Sequence, residues 1–536
     1  MNTNFKHIFS VSALLLTVGM VSCTKDLDVT PIDPNYAEPS AELLFNKCYA
    51  TMATAGNGAA DDDSDVDGID GGTSGYYRQM WNEQQLTTDE AICGWGDEGI
   101  SGFTYNTYDA SHPMLRGFYY RLTTDITFCN QYIEQFGSYD AAMTAEIRFL
   151  RALHYYYLMD GWGNVPFSTA ISSEKPRQAN RKEIFEFIET ELLELEKDLL
   201  DAKAKTSSDA NYGRVDKAAA WLLLARLYLN AEVYTGTAQW AKAAEYAQKV
   251  INSDYKLNTT GSGVWSAYRM LFMGDNGETN AAKEIIFPLL QDGLRTTSWG
   301  CSLYLIAGTF KNDMFENPLD PTQTNGTTAG WEGAHARPQL VAKFFPNNDA
   351  PTGLHGYEMV EAAGDDRALF NSMDRTLENN EVGVFTSGFS VVKFTNFKTD
   401  GSTGHDPQHP DMDVPLMRKA EAYLIFAEAT ARQNGGNATS EGVNALNQLR
   451  LRAHASNKSS FTLNDILDEW SREFYFEGLR RTTLVRFGQY GGTTSYHWSW
   501  KGGTQEGRDF PATRNIFAIP TTDLTANPNL VQNPGY

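Results

Sequence analysis

Three tryptophans stand in loops rather than in helical or strand patterns: Trp95 in Cys-Gly-Trp-Gly-Asp, Trp299 in Ser-Trp-Gly and Trp331 in Gly-Trp-Glu-Gly. A lone tryptophan usually fills core, but flanking glycines favour turns and leave a ring few neighbours to pack with. A flat apolar ring held this way is suited to stacking against a ligand's apolar face.

Cation chemistry has weaker support. Asp63, Asp65, Asp67 and Gly68 follow the spacing of an EF-hand loop, yet the twelfth position is Ser74 instead of a bidentate Glu and no helices flank it. His405 and His409 lie in GSTGHDPQHPDMD, where Pro and Gly prevent two imidazoles from sharing one helical face. No metal site is expected from them. A structural calcium in the Asp275-Asn276-Gly277-Glu278 or Asp411-Met412-Asp413 loops stays open, and no other cofactor is indicated.

Catalytic motifs are missing as well: there is no Walker loop, no GxGxxG after a strand, no GxSxG elbow and no HExxH. A glycosidase needs two carboxylates across a bond, and among 67 acidic residues nothing marks such a pair. The formal charge of −23 repels phosphate backbones and anionic headgroups, so nucleic acid is not expected as a partner. Aromatic residues make up 12% of the chain, more than packing alone usually requires, which leaves some of them to face a ligand.

The N-terminus carries Lys6, an apolar run from Ile8 to Val21, and then Ser22-Cys23. The run is short for a bilayer span and has the layout of a secretory leader. Its end resembles a bacterial lipobox, with residues 1–22 removed and Cys23 acylated; acyl chains on that residue would hold the chain at a membrane. Residues 23–40, acidic and broken by Pro31 and Pro34, suit an extended tether, and 41–536 is expected to form a single domain. Cys48, Cys93, Cys129 and Cys301 have no CxxC spacing and are expected to be buried free thiols.

Helical periodicity with small contact residues dominates several stretches. Trp221, Leu224, Ala225 and Tyr228 in 217–231 have the spacing of the first helix of a tetratricopeptide repeat, and 240–251 supplies a partner with Ala243, Ala247 and Val250 on one stripe. The pattern recurs at 145–159 with 181–200 and at 416–432 with 441–453, while 463–480 suits part of a fourth pair. The expected fold is therefore mainly α, about four repeat-like helix pairs forming a scaffold. Loop-rich excursions at 52–118 and 258–413 would carry the ligand site.

Five tracts give a more specific reading: AEIRFLRALHYYYLMDGWGNVPF at 145–167, GRVDKAAAWLLLARLYLNAEVYTG at 213–236, AGDDRALF at 363–370, REFYFEGLRRTTLVRFGQY at 472–490 and the terminal AIPTTDLTANPNLVQNPGY. Together they closely resemble the SusD/RagB family, in the family's order. The resemblance implies a non-catalytic outer-membrane lipoprotein of the cell surface that binds an oligosaccharide and presents it to a SusC-like TonB-dependent transporter. DVDGIDGGTSGYYR at 65–78, TTDEAICGWGDE at 87–98, QDGLRTTSWGCSLYL at 291–305 and GTTAGWEGAHAR at 326–337 resemble the sugar-binding region of the family's starch-binding founder.

By that resemblance the founder's aromatic arc falls on Trp95, Trp299 and Trp331, with Trp299 in place of a tyrosine, and its polar contacts fall on Asp70 and Arg78. Cys93 stands where the arc has a second tryptophan, and Glu98 where it has an amide. An α-glucan is implied, starch ahead of dextran. A peptide-binding repeat scaffold and a glycoside hydrolase are the competing readings: the first needs an open helical groove, the second releases reducing ends.

Overall fold

The computed structural model describes residues 40–57 and 64–536. The leader, Cys23, the tether up to residue 39 and Asp63 lie outside the described residues. Leu44–Tyr536 forms one compact unit. Of the other unit, Met1–Leu43, the described part is Ser40–Leu43, where the Ser40 hydroxyl accepts a hydrogen bond from the Leu43 amide at 3.1 Å.

In chain order the elements used below are α1 (Ala41–Ala50), α2 (Tyr76–Trp81), β1 (Ala91–Cys93), α3 (Pro113–Phe136), α4 (Ala141–Trp162), α5 (Arg181–Leu195), α6 (Lys217–Leu229) and α7 (Trp240–Asn252). They continue with β2 (Ile285–Leu289), α8 (Ser302–Ala307), β3 (Ala334–Ala336), β4 (Val414–Arg418), α9 (Lys419–Gln433), α10 (Ser440–Arg452), α11 (Leu463–Phe474) and α12 (Arg480–Arg486). Helices outweigh the strands, which pair only as two-stranded antiparallel ladders among the described residues.

The scaffold is a succession of packed helices, each leaning on the next: α3 on α4, α4 on α5, α6 on α7, α7 on α9, and α9 on α10 and α11. Local chemistry starts them where the sequence changes character. Asp140 caps α4 by accepting from Met143 N at 2.8 Å, Asp216 caps α6 by accepting from Ala218 N at 2.9 Å, and Asn180 with Glu183 forms a reciprocal capping box on α5. α4 is buried almost all round from Ala145 to Trp162, as a helix enclosed by neighbours must be.

Two boundaries differ from the periodicity. α3 begins within the stretch read as loop and supplies α4 with a partner; it was hidden because its inner face buries Arg121, Asp125 and Asn130, which interrupt the apolar stripe. The run 463–480 is not one helix. Tyr475 leaves α11 in extended conformation, Phe476 and Gly478 have φ of 63° and 77°, and the chain restarts as α12.

The long excursion is tied to the helices by buried charge. Arg418 at the end of β4 pairs with Glu284 at 3.1 Å, Glu473 at 2.6 Å and Glu477 at 2.7 Å. Arg367 pairs with Glu469 at 2.7 Å and Glu473 at 3.2 Å, and Arg452 pairs with Glu284 at 3.0 Å and also with Glu473. Glu284 and Arg367 come from the excursion and Glu469 and Glu473 from α11, so the network welds the two parts. Removing any one member would leave an uncompensated buried charge.

Candidate functional site

Two chain segments far apart in sequence meet through glycine. A Cβ on Gly75 would lie 2.7 Å from the Gly300 Cα, so the two backbones approach more closely than any side chain permits. That contact delivers the Arg78 amide to the Gly300 carbonyl at 2.9 Å. It sets Arg78, on the first turns of α2, beside Trp299, which immediately precedes α8. A second junction is the β1–β3 ladder, where Cys93 faces Ala334 and Gly94 N donates to Gly333 O at 3.3 Å. It brings the Trp95 loop against the Trp331 loop.

The tryptophans are then fixed individually. Trp95 Nε1 donates to the Trp331 carbonyl at 2.8 Å, and its ring lies over Gly333, where a Cβ would fall 2.3 Å from Trp95 Cε2. Trp331 N donates to the Ala307 carbonyl of α8 at 2.8 Å, and Trp299 and Trp331 both pack on Leu303, Ala307 and Ala329. The Trp95 and Trp331 ring centroids are 6.3 Å apart at 56°, and those of Trp299 and Trp331 are 6.0 Å apart at 47°. Behind Trp299 lies the His409 ring at 5.3 Å.

Arg78 is only 8% exposed. Its guanidinium donates to Gly72 O at 2.9 Å and lies 5.0 Å from the Tyr304 ring centroid and 5.6 Å from that of Trp95. Its Nε has no hydrogen-bond partner, nor has the Trp299 indole N–H. Together Gly72, Arg78, Trp95, Asp97, Trp299 and Trp331 line an open cavity of about 370 Å³. Rings arranged at angles around one guanidinium and one carboxylate form a wall that is apolar in patches and charged at its edges. Such a surface suits a ligand with apolar faces and hydroxyl rims.

A family model described as the SusD family matches residues 311–536. Over 99% of its length the chain is 40% identical to the starch-binding protein SusD of Bacteroides thetaiotaomicron, 99% of which is covered. The chain belongs to the SusD family. A SusD-like protein P2 of Formosa agariphila is 24% identical over 98% of the chain and 99% of that protein. Among solved structures, a SusD superfamily protein from Parabacteroides distasonis superposes with a TM-score of 0.66 at 19% identity, covering 92% of this chain and 98% of that one. A laminarin-binding SusD-like protein gives 0.64 at 20%, covering 94% and 100%. These two establish the shared fold and nothing about ligand choice. As a SusD-family protein the chain is a binder and not an enzyme.

Around this cavity, four residues named from sequence, Arg78, Trp95, Trp299 and Trp331, are brought together. Asp70 is exposed on the neighbouring turn, where its carboxylate accepts from Thr73 N at 2.9 Å and approaches Gly72. Glu98 is exposed on the turn after Trp95 and does not line the cavity; its neighbour Asp97 does. Cys93 is buried in β1, and burial pushes its thiol up to about 12. Sequence reasoning missed Asp97 and His409. The only signal for Asp97 was adjacency to Trp95; nothing in the sequence joined His409 to Trp299.

The loops considered for cations make protein contacts of their own. Asp65 pairs with Lys47 at 2.8 Å and Arg121 at 3.4 Å. His405 pairs with Asp411 at 2.7 Å, apart from His409 on Trp299. The Asp275–Glu278 and Asp411–Asp413 loops do meet, through Asn276 Nδ2 donating to Asp413 O at 2.8 Å, and the Asp413 carboxylate accepts from Tyr212 and Gln291. Among the described residues no group of three or more His, Cys, Asp or Glu converges as a metal site.

Proposed function

We propose that this protein captures an α-glucan, starch or a maltooligosaccharide, at the cell surface and delivers it without hydrolysis to a SusC-like TonB-dependent transporter. The observation that carries the reading is the cavity in which Trp95, Trp299 and Trp331 present rings around Arg78, in a chain 40% identical to a starch-binding protein. Pyranose rings stack on the indoles, Arg78 and Asp97 meet their hydroxyls, and Asp70 and Glu98 serve the glucan from the adjoining turns. Three aromatic stacks at roughly 1–1.5 kcal/mol each sum to about 3–4.5 kcal/mol, a dissociation constant near the millimolar range. Weak capture with fast release suits handing a chain onward, and several contacts along one polymer raise the apparent affinity.

In this reading residues 1–22 are a leader, Cys23 carries the lipid, 23–40 form a tether and 41–536 form the binding domain at the outer membrane. No described helix is long and apolar enough to cross a membrane, and the proposed attachment is through acyl chains. Cys93 and Glu98, which depart from the founder's pattern, favour dextran as the second ligand to test.

The test is native affinity electrophoresis against starch, pullulan, dextran, laminarin and levan, with a reducing-sugar assay on the same protein. Retardation by starch and pullulan with no sugar release is expected. Retardation only by laminarin or levan overturns the α-glucan reading, and steady release of reducing ends overturns the binding role.

A further inference from the structure

A second cavity, sharing no lining residue with the tryptophan site, opens between the start of the long excursion and residues 316–318 and 357–369, with a volume of about 220 Å³. It repeats the chemistry of the first site. Arg269 lines it and is only 6% exposed. One guanidinium nitrogen donates to Val392 O at 2.5 Å, while Nε has no hydrogen-bond partner. With Nε enclosed and one nitrogen committed to Val392, the part of the guanidinium that lines the cavity is what Arg269 offers a ligand oxygen.

The walls supply aromatic and aliphatic surface. Trp265 is backed by Phe397, their rings nearly parallel at 25°, and its indole N–H is occupied by Thr399 O at 3.1 Å. Tyr357 is 38% exposed, and its ring lies flat on His355 with centroids 5.1 Å apart at 7°. His355 is anchored in turn by Glu316, which lies 3.4 Å away and holds its imidazole above the usual range. Tyr357 is therefore a pre-positioned platform at the mouth, with Val264 exposed beside it.

Charge decides the ligand class. Glu316, Glu361 and Asp366 line the cavity against the single guanidinium of Arg269, so an anionic ligand is repelled. Glu316 already accepts from Gly356 N and Asn371 Nδ2, and Asp366 is paired with His454 at 2.8 Å, which leaves Glu361 on the rim to accept from a ligand. A neutral polyol fits: one oxygen accepts from Arg269, one hydroxyl donates to Glu361, and an apolar face lies on Tyr357.

From this arrangement we infer that the Arg269–Tyr357 cavity is a second, weaker subsite taking a single neutral sugar ring. The inference rests on the glucan-binding reading of the first cavity. A long chain held at both points would gain avidity that a short oligosaccharide cannot.

Ligand-observed saturation-transfer NMR with maltotriose and isomaltotriose tests it, using the wild type, Trp299→Ala/Trp331→Ala, Tyr357→Ala and the combined triple variant. Residual transfer in the double variant, falling at least fivefold once Tyr357→Ala is added, is the expected result. Tyr357 is exposed, so its replacement leaves the fold intact, and Glu361→Gln provides a second variant expected to weaken the residual signal. A double variant with no transfer while the wild type shows it, or residual transfer indifferent to Tyr357 and Glu361, overturns the second subsite and leaves the first standing. A double variant equal to the wild type, with the signal lost on Tyr357→Ala, overturns the first cavity and keeps the second. No transfer to the wild type from either probe overturns both.

Discussion

The indole N–H of Trp95 is donated to the backbone carbonyl of Trp331 at 2.8 Å, so the side chain of one platform is held by the main chain of the next. Trp95→Phe removes that donor and keeps a ring. Its glucan affinity should fall severalfold, less than the roughly tenfold loss expected when Trp95→Ala removes a stack. Equal losses in calorimetric titrations would mean that the hydrogen bond, and not the ring, is what matters. Replacing Trp95, Trp299 and Trp331 together by Ala should abolish binding at this cavity, leaving only the weak signal assigned to the Arg269–Tyr357 cavity, while the helices melt nearly as before.

Gly333→Ala is a sharper probe, because it leaves every proposed ligand contact chemically unchanged. Its Cβ would fall 2.3 Å from Trp95 Cε2 and displace the ring. Affinity should drop to about the level of Trp95→Ala, roughly tenfold. Wild-type affinity in this variant would show that the position of Trp95 is not critical.

The buried network predicts large stability losses away from the site. Burial alone would raise the Glu473 pKa, but Arg452, Arg418 and Arg367 outweigh it and hold the carboxyl well below its usual range. Glu473→Gln should cost about 3–5 kcal/mol in urea unfolding and leave glucan affinity at room temperature unchanged. Because the folded pKa is depressed, the stability due to this group is present above the unfolded value near 4.5 and is lost as pH falls. A loss below 1 kcal/mol would mean that the network is not cooperative.

Asp413 has the opposite sign. Burial, with Asp411 and Asp292 nearby, raises it from 3.8 to about 7 despite the hydrogen bonds from Tyr212 and Gln291. The native state then binds more protons than the unfolded chain between about pH 4 and 7, so this group's contribution to stability declines as pH rises through that window. Asp413→Asn removes the titration. Relative to wild type it should become steadily more stable from pH 4 to 7, by a few kcal/mol at most. A melting difference that stays constant with pH would refute the assignment.

For attachment, Cys23→Ala should leave the protein out of the outer-membrane fraction. Wild-type recovery there, in cells lacking the transporter, would rule out the lipid anchor.

Much of the scaffold was legible because its helices carry unbroken small and apolar stripes, as in Ala243, Ala247 and Val250 of α7. α3 was not, because polar residues break up its buried face: Arg121 reaches Ala55 O at 2.8 Å, and Asp125 takes the Thr51 hydroxyl at 2.7 Å. Such residues serve neighbouring loops and leave no period in their own helix. The tryptophans were legible from their glycine flanks. Asp97 and His409 were not, since their place depends on backbone junctions such as Gly75 against Gly300, which no local pattern encodes.

The geometry of the three indoles also makes the site an optical object. Trp95, Trp299 and Trp331 form a chain of neighbouring chromophores with centroid separations of 6.3 and 6.0 Å and interplanar angles of 56° and 47°. Transition dipoles so close and so skewed couple as excitons, with a handedness imposed by the loops, and contribute a signed couplet to the ultraviolet circular dichroism. Trp81, Trp162 and Trp498 report on the interior, whereas this couplet reports on the mutual tilt of the three platforms. A ligand that merely occupies the cavity leaves it in place, and one that reorients a ring changes its amplitude, so induced fit and rigid docking become spectroscopically separable without a label.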